Sequence, residues 1–163
     1  MTEMEISGVF HDHRREYPVV VLQQQDGSRI MPIWIGYSEG HSLQICLGEV
    51  ACPRPLTHEL TARVCEAMGV ELVRVLIIEF KDRTYHARLV IRGADDQLVT
   101  IDARASDAIA LAARSGCPIL ADESIPQFEV GGLAAMKSEE RERAITDVLK
   151  RIHPRDLGSF GPR

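Results

Sequence analysis

Between Val99 and Ala113 the apolar pattern changes its period, and that change limits what this chain can become. Val99 and Ile101 alternate with Thr100 and Asp102, the two-residue rhythm of a strand. Ile109, Ala112 and Ala113 then recur at helical spacing. A strand that feeds a helix belongs to a sheet with helices laid against it. Ser106 offers that helix an N-cap, and Asp107 a favourable charge in its first turn. Helix starts present free N–H groups to which anions bind. Asp102, Arg104, Ser106 and Asp107 crowd around this one. Two carboxylates, a guanidinium and a hydroxyl there can handle a phosphate or a metal. The same residues also make a plain capped helix, with Asp102 and Arg104 as a structural ion pair.

The remaining elements follow from similar signals. Residues 5–35 read as strands: Val19-Val20-Val21-Leu22 is a β-branched apolar run, Asp26-Gly27 a tight turn, and Arg29 to Ile35 the returning strand. Pro32 marks that strand as an edge or a bulge. Ser38 caps a helix to about Leu47, with Leu43, Cys46, Leu47 and Val50 on its apolar face. Two prolines hold Cys52 to Leu56 extended. Thr57 caps a second helix, whose Leu60, Val64, Ala67 and Met68 form one stripe. Three strands follow as a meander over 73–80, 85–92 and 97–103. The helix from Ser106 stops at Gly116 before Pro118. Gly131-Gly132 reads as a hinge, and Ser138 opens an amphipathic helix carrying Ile145, Val148, Leu149 and Ile152 on one side.

The expectation is an α+β (α/β) fold: a mostly antiparallel mixed sheet with three core helices, plus a C-terminal amphipathic helix. Residues 1–128 form the main domain; 129–163 form a linker, that helix and a loose tail. At 163 residues the chain can bury roughly two-thirds of its unfolded surface, so it needs no disulfide or metal staple. Its cysteines, at 46, 52, 65 and 117, make no C-x-x-C pair, and Cys46 and Cys65 read as small buried apolar residues on helices. No run approaches the roughly 20 apolar residues of a membrane span. The opening Met1-Thr2-Glu3-Met4-Glu5 lacks the plan of a secretory signal, so a cytoplasmic protein is expected. A net charge of −5 gives no general attraction to nucleic acid, so binding needs a local basic patch or metal ions.

Three helix starts carry acidic or imidazole groups: Glu39, the pair His58 and Glu59, and Asp107. The helix dipole accounts for each acid singly. If the starts share one edge of the sheet, their groups converge, and carboxylate with imidazole suits Mg²⁺, Mn²⁺ or Zn²⁺. Arg54 and Arg104 are then placed to grip phosphate oxygens. His11 and His13 form an H-x-H pair with no third ligand in view; His86 reads as a polar-face residue beside Arg88, and Trp34 as core or a subunit contact. The chain has no Walker A loop, G-x-S-x-G elbow or H-E-x-x-H.

Three blocks resemble the bifunctional nuclease family of bacterial and plant proteins, also known as a domain of unknown function. They are Met31-Pro32-Ile33-Trp34-Ile35-Gly36 with Glu39, then Pro53 to Leu60, then Ile101 to Ala112, and the match covers roughly residues 5–128. The resemblance implies a compact α/β domain, a homodimer, and hydrolysis of both DNA and RNA. Its matching polar positions are Glu39, Arg54, Thr57, His58, Glu59, Asp102, Arg104, Ser106 and Asp107. Ala105 stands where the pattern often has Pro, and His41 where a small residue is usual.

Two functions fit. In the first, Glu39, Asp102 and Asp107 hold a divalent cation, Mg²⁺ or Mn²⁺, and His58 or Glu59 is the general base, with Asp107 essential to cutting. Arg54 and Arg104, with Thr57 and Ser106 beside them, position the phosphate. In the second, the chain is a non-enzymatic dimeric module that binds a ligand or a protein, and the carboxylates are caps and ion-pair members.

Overall fold

Two antiparallel meanders supply most of the sheet. The first is β1 (Thr2–His11), β2 (Pro18–Gln24) and β3 (Arg29–Trp34). The second is β4 (Glu71–Lys81), β5 (Thr84–Arg92) and β6 (Leu98–Arg104). The computed structural model describes residues 1–11 and 17–152, so His13 and the tail from 157 lie outside the described residues. Two short strands carry too few residues for alternation to reveal them: β7 (Ile119–Ala121) and β8 (Phe128–Glu129). β7 runs antiparallel to β1 and parallel to β4, and so joins the meanders. Among the described residues the sheet has eight strands, in the order β6-β5-β4-β7-β1-β2-β3-β8. Pro32 sits where β3 has passed beyond β8, whose pairing reaches only Arg29 and Ile30, so its missing N–H breaks no ladder.

Helices α1 (Tyr37–Cys46), α2 (Thr57–Ala67) and α3 (Ala105–Ser115) gather on one side. Strand alternation divides the apolar residues between the faces. Val20, Leu22, Met31 and Ile33 point to the side of α1 and α3, and pack with Leu43, Ala108, Ile109, Val75 and Ile77. Val19, Val21, Ile30 and Trp34 point the other way. There they meet Leu133, Ile145, Leu149 and Ile152, so α4 (Ser138–Arg151) packs against the back of the first meander. Trp34 is therefore core, as its sequence context suggests. Alanines at 105, 108, 110 and 112 are all buried and let α3 lie close to the sheet. Ala105, at the position where proline was anticipated, is part of that contact.

Some expectations need correction. Each of the four helices begins at or before its supposed capping residue. The N-caps are Gly36, Leu56, Arg104 and Lys137, not Ser38, Thr57, Ser106 and Ser138. The extended chain enters each helix one or two residues early, so these hydroxyls fall inside the first turn. The stripe on α2 is not core either: Leu60, Val64 and Met68 are exposed, and Ala62 is the buried residue of that helix. Cys46 and Cys65 are only partly buried. Among the described residues, no helix is long and apolar enough to cross a membrane.

One expected outcome follows from the second core. Ile145 has no exposed surface, so Ile145→Ala should cost about 2–5 kcal/mol of stability, measured by urea unfolding. A loss well under 1 kcal/mol would show that α4 does not dock on the sheet in solution.

Candidate active site

The end of β6 and the starts of all three helices on that side meet at one corner. Arg104 closes β6 and is the N-cap of α3. Its Nε donates to Asp107 Oδ2 at 2.6 Å and its Nη2 to Asp107 Oδ1 at 2.9 Å, a bidentate pair within one helical turn. Its Nη1 donates to Glu39 Oε1 at 3.0 Å, from the first turn of α1. Asp107 Oδ1 also meets Nε2 of His58, from the first turn of α2, at 3.0 Å. Gly36 makes room for this: a side chain there would strike the Glu39 carboxylate. Glu39, Arg104, Asp107 and His58, distant in sequence, thus form one continuous network.

Arg104 remains 63% exposed while its partners are largely covered, His58 being only 15% exposed. Three of its five N–H donors are used, which leaves two for an incoming anion. Burial pushes the Asp107 carboxyl up, but hydrogen bonds from Arg104 and His58 and their charges outweigh it and hold it ionised. Glu39 is lowered first by its own backbone N–H, then by the Ser38 hydroxyl and Arg104, against the opposing effect of burial. Asp107 binds Nε2 of His58, so the other ring nitrogen is the one left for proton transfer. That nitrogen, Nδ1, is buried and has no hydrogen-bond partner among the described residues.

Glu59 is next to His58 in sequence yet belongs to a second cluster. Arg114 of α3 grips both its oxygens, and Arg63 Nε donates to Oε1 at 2.7 Å. The two arginines hold Glu59 down at about 2, Arg114 most strongly. A carboxylate so acidic is a poor proton acceptor near neutral pH. Between α1 and the start of α2 lies a cavity of about 240 Å³ lined by Cys46, Cys52, Arg54, His58, Glu59 and Arg63. Arg54 makes no ion pair among the described residues and is exposed to this space. Burial, with the Glu59 charge beside it, raises the Cys46 thiol and keeps it protonated. A larger groove of about 580 Å³, between β1 and α4, holds none of the predicted site residues.

The other sequence candidates are placed differently. Asp102 stands opposite Arg88 on β6. Alternation sets it on the face away from Ala103, which packs under the helices. Arg104 ends the strand as the N-cap of α3 and pairs there with Asp107 and Glu39; Asp102 makes none of these contacts. Ser106 is half-buried in the first turn of α3, and Thr57 is exposed at the start of α2, where its carbonyl accepts from Thr61 Oγ1. His11 and His41 are exposed, and His86 faces Arg104 across the β5–β6 ladder. Among the described residues, no group of three His, Cys, Asp or Glu side chains is placed to hold a metal. Glu39 and Asp107 both face the Arg104 guanidinium, so as arranged they do not fit Mg²⁺ or Mn²⁺.

Sequence reasoning missed Arg63 and Arg114. The i,i+4 spacing of Glu59 and Arg63 is a legible signal; nothing local announces Arg114.

A sequence profile described as the bifunctional nuclease domain matches residues 20–129. An uncharacterised protein of Mycobacterium tuberculosis is 34% identical over 125 residues, 77% of this chain and 74% of that protein. Bifunctional nuclease 1 of Oryza sativa subsp. japonica is 29% identical over 109 residues, 65% of this chain but 33% of the rice protein. Bifunctional nuclease 1 of Arabidopsis thaliana is 28% identical over 106 residues, 63% of this chain and 33% of that one.

The Glu59 cluster gives a pH dependence. Its carboxyl lies near 4.5 ordinarily and at about 2 here. A lowered folded-state value contributes stability that is present above the unfolded value and lost as pH falls through the folded one. The urea midpoint should therefore drop between about pH 4.5 and pH 2. Glu59→Gln should flatten that part of the profile, and an unchanged profile would mean that the Arg114 pair contributes nothing.

Proposed function

Since the chain belongs to the bifunctional nuclease domain family, we propose that it is a nuclease hydrolysing phosphodiester bonds in DNA and RNA. One observation carries the reading: His58 is oriented by an ionised Asp107, keeps an unpartnered nitrogen, and borders a cavity that Arg54 also lines. A buried nitrogen without a partner costs about 1–3 kcal/mol. A proton delivered by substrate or water through that cavity would relieve the cost.

In this proposal Arg54 and the two unused N–H groups of Arg104 bind the phosphate oxygens. They also stabilise the charge that builds on phosphorus-bound oxygen. His58 Nδ1 takes a proton from the attacking water. The new P–O bond forms, a bond to one ester oxygen breaks, and that oxygen takes a proton from solvent. Asp107 orients the imidazole and stabilises its cationic form, as an orienting acid does for a general base. Local arginines supply the attraction that a net charge of −5 does not.

Mg²⁺ or Mn²⁺ would have to displace Arg104 from Glu39 and Asp107. No step above uses a cation, and EDTA separates the cases. The second reading, a non-enzymatic dimeric module, is favoured by one feature: the two carboxylates of the network are already paired with Arg104, and one of them with the His58 imidazole. In both readings we propose a homodimer. We place it in the cytoplasm, where the four free cysteines stay reduced.

Purified protein is expected to cut single-stranded RNA and DNA, and His58→Ala to lower the rate 10²–10⁴-fold with an unchanged circular dichroism spectrum. Equal rates in wild type and variant would remove His58 from catalysis. Cutting is expected to continue in EDTA; loss that Mn²⁺ restores would give the place of Arg104 to a cation. Ligand binding with no turnover under any condition would favour the module.

A further inference from the structure

The large apolar side chains that the fold leaves open concentrate on two elements. Leu56, Leu60, Val64 and Met68 lie on and just before α2; Leu98, Val99 and Ile101 lie on β6. Leu60, Val64 and Met68 recur every four residues and share one side of the helix. The two surfaces approach at the β5–β6 turn, where a Cβ on Gly69, just beyond α2, would lie 3.9 Å from that of Ala94. These side chains are 38–67% exposed. Leu98 takes the face of β6 opposite Val99 and Ile101. At roughly 100 Å² each the other six present about 600 Å², the upper end of the ~300–600 Å² of the largest patch on a typical monomer. That is about three-quarters of the ~800 Å² each partner gives to a stable interface.

The edge strand points the same way. Among the described residues β6 pairs with β5 alone, over all seven of its residues, without a bulge. It contains no Pro and no Lys, the usual means of blunting an edge. The other edge, β8, is only two residues long and so offers little to pair with. An open strand beside an apolar helix stripe is a template for another strand.

We infer that this surface receives a second copy of the chain, with β6 pairing antiparallel to β6 of the partner about a two-fold axis at Ile101. The inference rests on the homodimer reading above and says where the contact lies. With the axis at Ile101, that residue meets its own copy. Val99 meets the partner's Ala103, Thr100 meets the partner's Asp102, and Leu98 meets the partner's Arg104. No like charges oppose one another, and the Thr100 hydroxyl can donate to a carboxylate. An axis at Asp102 would set acid against acid, and one at Val99 would oppose Asp96 to Asp102. The strand thus complements itself, as a two-fold contact requires. The stripe on α2 is covered in the same contact. The two Arg104 residues then stand roughly 20 Å apart along the paired strands, so one extended substrate can span both sites.

The test uses the full chain with Cys52→Ser to remove its exposed thiol. Sedimentation at micromolar concentration should give the mass of a dimer. Ile101→Cys should become a covalent dimer on mild oxidation, whereas Asp147→Cys, on α4, should not. Ile101→Lys combined with Leu60→Lys should halve the mass. A wild type that stays monomeric at 100 µM overturns both the homodimer and this interface. A dimer that survives the double lysine variant, or that gives no cross-link at 101, overturns the interface and leaves the homodimer standing.

Discussion

Three residues hold the two halves of the sheet together. Ile119–Ala121 pair with β1 on one side and β4 on the other, and among the described residues no other strand touches both meanders. The junction is secured at both ends: Val75 N–H donates to Pro118 O, and Asp122 N–H to Ile77 O, each at 2.9 Å. α3 leads straight into it through Gly116, which adopts the left-handed conformation at the helix end. The helix that carries Asp107 is therefore tied at its far end to the seam of the sheet, and at its near end to β6 through Arg104. Glu39 arrives from the first meander and His58 from the helix between the two. Their meeting depends on the meanders being held in one register, which β7 provides.

At the corner so formed, charge is balanced internally. One guanidinium lies between two carboxylates, one carboxylate also holds an imidazole, and partial burial strengthens each of these bonds. Under the nuclease proposal a phosphate has to compete with Glu39 and Asp107 for Arg104, or use the two donors that they leave. The second cluster, around Glu59, keeps Arg63 beside the cavity, with Arg114 holding the carboxylate from α3. The site is thus poised between a stable ion network and an anion receptor. The nuclease reading and its rival differ over which of these states does the work.

Strand alternation and turn chemistry made most of the architecture legible. Asp26-Gly27, the strands on either side of it and the second meander stand where local pattern puts them; α3 begins at Ala105, ahead of the Ser106 cap that pattern suggests. β7 and β8 were not legible, since three residues and two residues carry no period; they exist because neighbouring strands offer free ladder groups. The α2 stripe shows a different limit. Spacing reveals that Leu60, Val64 and Met68 share a side, but not whether anything covers it. The convergence of Glu39, His58, Arg104 and Asp107 could be anticipated because each sits at an element end. Asp102 belonged to the same motif, yet it lies within β6 opposite Arg88, whereas Arg104 stands at the turn into α3 and so reaches Asp107 and Glu39. The claim of Arg114 on Glu59 spans 55 residues and left no trace in local sequence.

The attachment of α4 has a consequence for how the sheet is closed on its reverse side. Leu133 N–H donates to Gly27 O, and a side chain on Gly27 would strike the backbone of Ala134, so the C-terminal segment is clipped to the first hairpin. Its apolar residues fill the reverse side of β2 and β3, with the sheet between them and Arg104. The family match stops at residue 129, just before this segment begins. The last helix therefore serves as a backing plate: it seals Val19, Val21, Ile30 and Trp34 from behind and touches none of the residues that meet at Arg104.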